Sequence, residues 1–492
     1  MSTPPGKDDA AGFAVLLVVL ATAVPAAVVV LPDTASYVMP QAVRDLGLPD
    51  AQAAGLVRAC GLALPALILT APLTAALVRR APAWLVLFAG LAVLLAAQGL
   101  SVRATSVPAV GAVRVAEGAA GGIVLPATLA LARERGRHRA APSVWAGVLV
   151  AALLLATPLA LAATAGWDPD GVEWRAILCP YWWLSAIALV GVATLGLLRA
   201  RPARRAGPPT GALPAGLPAA GVAPAAARTE RLQLLLPVVP VGGFAFLAVV
   251  TTYDWSPGAQ LLLAACGIAG LLGLAVVGSR DATTGSPLGY AVVMPATGLL
   301  TMPVTGPLAG LVGDRAVPLT AFVAGGAGAV AAALLAGSLG RGTGRRVMLC
   351  GYGLDVVAIL LLLTTGAAAS LWTLLTALCA LGAGTGLAVG AALRHADAGP
   401  ALFGLSLCFP AVLGGHLVVG PLQIAKVGAV TGAGGDPAAA LYALTAAYRL
   451  WLVAAGGIAV LLAAVTAWAS RNRTRASPAG PADSGGTALP GG

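Results

Sequence analysis

Arg114 and Glu117 stand three residues apart inside an apolar stretch, residues 111–131, long enough to cross a bilayer as a helix. That spacing puts both side chains on one helix face, so a fixed cation has a carboxyl within reach. Charges in lipid are costly and persist where they face protein or a water-filled cavity, which makes the pair a candidate functional site. The small residues after Glu117 let a neighbouring helix come close, and Pro126 introduces a kink toward the far end of the stretch.

Three other residues in apolar runs carry chemistry. Asp33 follows Leu31-Pro32 in a first run already interrupted by Pro25, and it either lines a cavity from a broken helix or caps the helix end. Asp355 lies about 12 Å into its run at a helical rise of about 1.5 Å per residue, as a proton site or a hydrogen-bonded structural acid. His416 follows Gly414-Gly415, as a relay member or a satisfied structural group. Arg58, one turn inside the second run, either snorkels to the outer interface or has a buried role.

Other chemistries find no residues to perform them. The chain has two lysines, Lys7 and Lys426, and neither sits in a phosphate-cradling loop; Gly340-Arg341-Gly342-Thr343-Gly344 has glycine spacing but no preceding strand. The six cysteines, Cys179 among them in the run near 176–198, form no close-spaced pairs, so neither a disulfide framework nor a zinc site is expected. No metal-ligand cluster or Ser-His-Asp spacing stands out. The expectation is a protein that is not an enzyme and takes no cofactor and no metal.

The elements that must position these residues follow from composition. With 59% apolar and 10% charged residues, the 492-residue chain has too few charges to cover a soluble protein of its size. Apolar runs of about 20 residues, matched to a hydrocarbon core of about 30 Å, number about fourteen. An even count places both termini on one side; with that side in the cytoplasm, inner segments hold 21 Lys and Arg, outer segments 6 and the runs themselves 2, Arg58 and Arg114, which is the positive-inside pattern. This distribution accounts for the net charge of +11 without nucleic acid. Most Trp residues, such as Trp84, Trp182, Trp372 and Trp468, fall at run ends or in short loops, as an aromatic belt requires. The first run is too long and too poorly cleavable for a signal peptide and reads as a retained helix.

The organisation expected is a cytoplasmic tail (1–12), a six-helix bundle (13–199), a Pro-, Ala- and Arg-rich cytoplasmic linker (200–231), an extra helix pair (232–286), a second six-helix bundle (287–470) and a disordered cytoplasmic tail (471–492). A tight basic loop with Arg79 and Arg80 follows the second helix of the first bundle. Gly344, Arg345 and Arg346 close the matching loop of the second, and this shared punctuation marks an internal repeat. The run Arg133 to Arg139 reads as a topology anchor to anionic lipid. Gly382, Gly386 and Gly390, four residues apart, form a helix-packing face.

Several of these motifs together resemble the major facilitator superfamily, and within it the fourteen-helix drug/proton antiporter branch. Arg114, Glu117 and Gly118, then Pro126, Thr128, Leu129, Ala130 and Leu131, are similar to the family's fourth-helix pattern Arg-x-x-Gln-Gly, small residues, Pro-x-Ser-Leu-Ala-Leu. Asp33-Thr34, Pro40 and Asp45-Leu46-Gly47 resemble its Asp-Thr, Pro, Asp-Leu-Gly pattern, with the Asp displaced by two positions. Trp174-Arg175 resembles its entry to the sixth helix. The family's cytoplasmic loop motif survives without its Asp as Arg79-Arg80 and as Gly337, Leu339, Gly344, Arg345 and Arg346, which the resemblance makes conformational gating loops. Its Gly-Pro-x-x-Gly-Gly motif of the fifth helix stands here as Thr157-Pro158-Leu159-Ala160-Leu161-Ala162, with Pro158 a helix kink.

The resemblance implies an all-α integral membrane protein of two six-helix bundles plus a central helix pair. It implies a monomeric, proton-coupled exporter of a small organic or amphipathic compound, such as a drug, in the cytoplasmic membrane. Arg114 would organise the hydrogen bonds of the first bundle and Glu117 or Asp33 would carry the proton. The alternatives are an uncoupled facilitator or importer, and a non-transporting scaffold or sensor on the same fold.

Overall fold

The computed structural model describes residues 7–32, 35–134, 140–164, 174–179, 181–205, 224–250, 255–281, 283–286, 288–312, 319–365, 370–431 and 437–476. Asp33 and Thr34 lie outside them, as does most of the 133–139 basic run. Among the described residues there are helices and no strands.

Among the described residues, fourteen helices are long and apolar enough to cross a membrane. In the first half they are α1 (Ala10–Val29), α2 (Gln52–Leu77), α3 (Ala83–Ser101), α4 (Val107–Glu134), α5 (Ala140–Thr164) and α6 (Trp182–Arg199). Then come α7 (Arg228–Val250) and α8 (Pro257–Arg280), followed by α9 (Tyr290–Val312), α10 (Leu319–Ser338), α11 (Gly344–Thr364), α12 (Leu371–His395), α13 (Ala398–Val430) and α14 (Ala438–Ala467). Local chemistry sets several ends. Ser256 caps α8 by accepting from the Ala259 amide at 3.3 Å with Pro257 in the first turn, and Ser370 caps α12 by accepting from the Thr373 amide. Pro303, which has no N–H to donate, breaks α9 at Thr301 into two rods, and α2 breaks at Gly61 and Leu62 into Asp50–Cys60 and Ala63–Leu77.

The two halves repeat one packing scheme. In the first, α1 packs on α4, α5 and α6, α2 on α4, and α3 on α4 and α6; in the second, α9 packs on α12, α13 and α14, α10 on α12, and α11 on α12 and α14. The halves meet where α5 packs on α10 and α2 on α13, pairing the fifth helix of each bundle with the second of the other. The extra pair sits beside that second seam, α7 on α2 and α8 on α13. Small residues allow these approaches. A Cβ on Gly118 would lie 1.9 Å from the Ala63 carbonyl oxygen, and one on Gly147 would lie 2.6 Å from Val330 Cα across the bundle boundary. Gly382 and Gly386 of α12 bring its backbone against that of α10 at Gly325 and Ala329.

Some boundaries differ from those read in the sequence. Helix runs to Arg205 and resumes at Pro224, encroaching on the 200–231 linker from both ends, because Ala and Arg favour helix and Pro is tolerated at its first position. The last helix continues to Ala476, past the expected end at 470. Cys179 precedes α6 rather than lying within it, and Lys426 lies near the end of α13.

Candidate functional site

A second, smaller core lies at the ends of the first bundle away from its Arg-rich loops. The helix Ala35–Asp45, the first rod of α2, the start of α4 and the turn Trp174–Ile177 bury Ala42, Leu56, Val110, Trp174 and Leu178 together. Arg175 donates from Nε to the Ala104 carbonyl at 2.7 Å while its guanidinium stacks 4.7 Å from the Trp174 ring centroid. This cap fixes the start of α4, and Arg114 lies two turns in.

Arg114 is 3% exposed and its guanidinium is shared among three elements. Nε donates to the Cys60 carbonyl at 3.0 Å, at the break in α2; one terminal nitrogen donates to the Pro32 carbonyl at 3.3 Å, just past the end of α1; the other donates to Glu117 Oε2 at 2.7 Å. The planar fork satisfies a charge and two helix-end carbonyls at once, which an ammonium cannot do. Glu117 is fully buried, and its Oε1 has no hydrogen-bond partner among the described residues. The pair is electrically balanced and keeps one carboxyl oxygen in reserve. A proton on Glu117 removes the counter-charge of Arg114, so the pair has two electrostatic states.

The other expected residues are dispersed. Asp355 of α11 is fully buried in the second bundle, remote in sequence and in helix packing from Arg114. His416 of α13 is half-buried and makes no hydrogen bond or ion pair with a described residue. Pro126 is buried within a continuous α4, and two residues on Thr128 Oγ1 accepts from Trp145 Nε1 of α5 at 3.0 Å. Pro158 is buried in α5, whose next carbonyl, Leu159, accepts from Tyr181 Oη at 3.0 Å. Gly344 is buried, and a Cβ there would lie 2.7 Å from His395 Cε1. Arg345 donates to the Ala467 carbonyl of α14 at 3.4 Å, while Arg346 and Arg80 are exposed. Arg79 pairs with Glu230 at the start of α7, N–O 3.0 Å.

Two residues at the Arg-rich ends escape a reading of the sequence. Arg133 of α4 donates to the Leu393 carbonyl of α12 at 3.3 Å and to the Ala396 carbonyl, so one bundle caps a helix C-terminus of the other. Glu230 supplies Arg79 with a carboxylate that the loop motif lacks. Beside it, Asp281 after α8 accepts from the Thr283 amide and hydroxyl, the Thr284 amide and Gln233 Nε2 of α7. The Thr283 amide first, then these other donors, holds the Asp281 carboxyl below the usual carboxylate range.

No family model and no curated protein matches the sequence. Solved structures do match in fold. The human organic anion transporter MFSD10 (TETRAN) is 16% identical with a TM-score of 0.53, covering 94% of this chain and 100% of its own. Tetrameric PepTSo2 is 15% identical with a TM-score of 0.56, covering 96% and 100%. A bacterial homologue of the human drug peptide transporters PepT1 and PepT2 is 13% identical with a TM-score of 0.57, again covering 96% and 100%. The chain has the major facilitator fold: two six-helix bundles with an extra helix pair, in a multi-pass membrane protein.

Proposed function

We propose that the protein is a secondary active transporter that couples protons to the export of a small organic or amphipathic compound. It acts as a monomer in the cytoplasmic membrane with both termini inside. The observation that carries this reading is the buried Arg114–Glu117 pair, tied to the end of α1 and the break of α2. A scaffold on the same fold has no use for a charge pair at that depth. The test is purified protein in liposomes loaded with a pH-sensitive dye and given ethidium as probe. Ethidium should drive proton movement that protein-free liposomes lack; absence of movement over either direction of pH gradient removes the coupled-export reading.

A second reading, an uncoupled facilitator or importer, is favoured by Thr157-Pro158 standing where the family's fifth-helix motif has Gly-Pro. The organic anion and peptide transporters of similar fold supply its probes. Uptake of fluorescein or a labelled dipeptide without a pH gradient supports it.

A further inference from the structure

We propose that Asp355 binds and releases the coupled proton, an inference that rests on the proton-coupled reading above and moves its proton to the second bundle. Asp355 lies near the middle of α11, about 16 Å from Gly344 and about 14 Å from Thr364 at helical rise. It is fully buried, and neither carboxyl oxygen has a hydrogen-bond partner among the described residues. An orphaned buried carboxyl calls for an occupant or a role.

The surroundings are built around it. A Cβ on Gly384 of α12 would lie 2.3 Å from Asp355 Oδ1 and 2.6 Å from the Gly351 carbonyl oxygen; one on Gly351 would lie 2.6 Å from the Gly384 carbonyl oxygen. The two helices therefore meet backbone to backbone, and the carboxyl fills the space beside their contact. The Thr385 hydroxyl beside it donates to the Leu381 carbonyl of its own helix at 2.7 Å rather than to the carboxyl. On α11, Tyr352 one turn away is the titratable neighbour, and Arg345 and Arg346 lie at the helix end. On α12, Cys379 lies more than a turn away, and Arg394 and His395 close the far end. On α14, Tyr448 and Arg449 make no pair with it. No cation among the described residues balances Asp355, whereas Glu117 is held by Arg114 at 2.7 Å.

A metal cation needs several oxygen ligands and room for them, which helices in glycine contact do not leave. A proton needs neither. Losing it leaves an unpaired charge at the α11–α12 contact, a cost relieved by admitting water or parting the helices. About 12 Å further along, α12 ends in the Leu393 and Ala396 carbonyls that hold Arg133, so its seating bears on the contact between bundles.

Infrared difference spectroscopy against pH, on the full chain in phosphatidylcholine nanodiscs, reads the carboxylic acid C=O band directly. The expected band bleaches as pH rises, is missing from Asp355→Asn and persists in Glu117→Gln. A bleaching band that survives in Asp355→Asn overturns the assignment, and so does a wild-type Asp355 band that never bleaches while the protein stays folded. Should Asp355→Asn not fold, Tyr352→Phe must move the bleaching midpoint, and an unmoved midpoint overturns it equally. Ethidium-driven proton flux separates the two proposals. A bleaching Asp355 band without flux in wild type leaves this proton site standing and removes the transport reading; flux retained in a folded Asp355→Asn shows that the coupled proton lies elsewhere.

Discussion

Arg133 and Leu393 are joined across the bundle boundary, the guanidinium of one bundle donating to a C-terminal carbonyl of the other at 3.3 Å. Because α4 and α12 occupy equivalent places in their bundles, the contact ties together the Arg-rich ends of two matching helices. Arg133→Ala removes this tie. Spin labels at the exposed positions 80 and 346, one per bundle, should then report a longer and broader distance distribution than in the parent. Exposed Cys266 and Cys350 must first be replaced. An unchanged distribution would mean that the α5–α10 and α2–α13 seams hold these ends without it.

Arg79 and Glu230 are partly exposed, at 37% and 22%, so their pair contributes at most about 1 kcal/mol. Arg79→Glu should lower the melting temperature modestly, and Arg79→Glu with Glu230→Arg should recover most of the loss. Raising the salt should shrink the difference. Failure of the swap to recover stability would reduce Glu230 to a bystander.

The fold was legible because its signal is coarse. Fourteen apolar runs and the placement of arginines suffice to give helix number, and two basic loops at matching places give the repeat. Arg114 and Glu117 were legible as a pair because they are one turn apart on one helix. The partners Cys60 and Pro32 were not, since backbone carbonyls at helix breaks leave no residue-type signature. Arg133 was masked by the basic run it begins, where its neighbours suggest lipid contact. Glu230 lies in an Ala- and Arg-rich segment that reads as linker until Pro224 starts a helix. Asp355 was visible as a buried acid, but its lack of a partner depends on how Gly351 and Gly384 meet in space.

The turn at Asp281 carries a pH dependence of known sign. Its carboxyl is held below the usual range by the Thr283 amide and the donors around it, so the stabilisation is present above the ordinary carboxylate range and is lost as pH falls through the lowered value. Hydrogen exchange at the Thr283 and Thr284 amides should accelerate there, beyond the intrinsic pH effect, and Asp281→Asn should show the acid behaviour at neutral pH. Equal protection at both pH values would show that the turn holds without the charge.

The three hydrogen bonds of Arg114 do two separable jobs. One balances Glu117; the other two satisfy the carbonyls at the end of α1 and the break of α2. Arg114→Lys keeps the charge but cannot span all three acceptors, and each buried carbonyl left unpaired costs about 1–3 kcal/mol. Arg114→Met removes everything and leaves Glu117 uncompensated, a loss of about 3–5 kcal/mol for a broken buried pair. Arg114→Met with Glu117→Met abolishes the stranded charge and should be more stable than Arg114→Met alone, yet stay below the parent because Cys60 and Pro32 remain unserved. Melting followed with a thiol-reactive dye reads this order once exposed Cys266 and Cys350 are replaced, since Cys60, Cys179 and Cys408 are buried until unfolding. Equal melting of Arg114→Met and the double variant would show that Glu117 is not charged when Arg114 is absent, and that Arg114 serves the two helix ends rather than a charge pair.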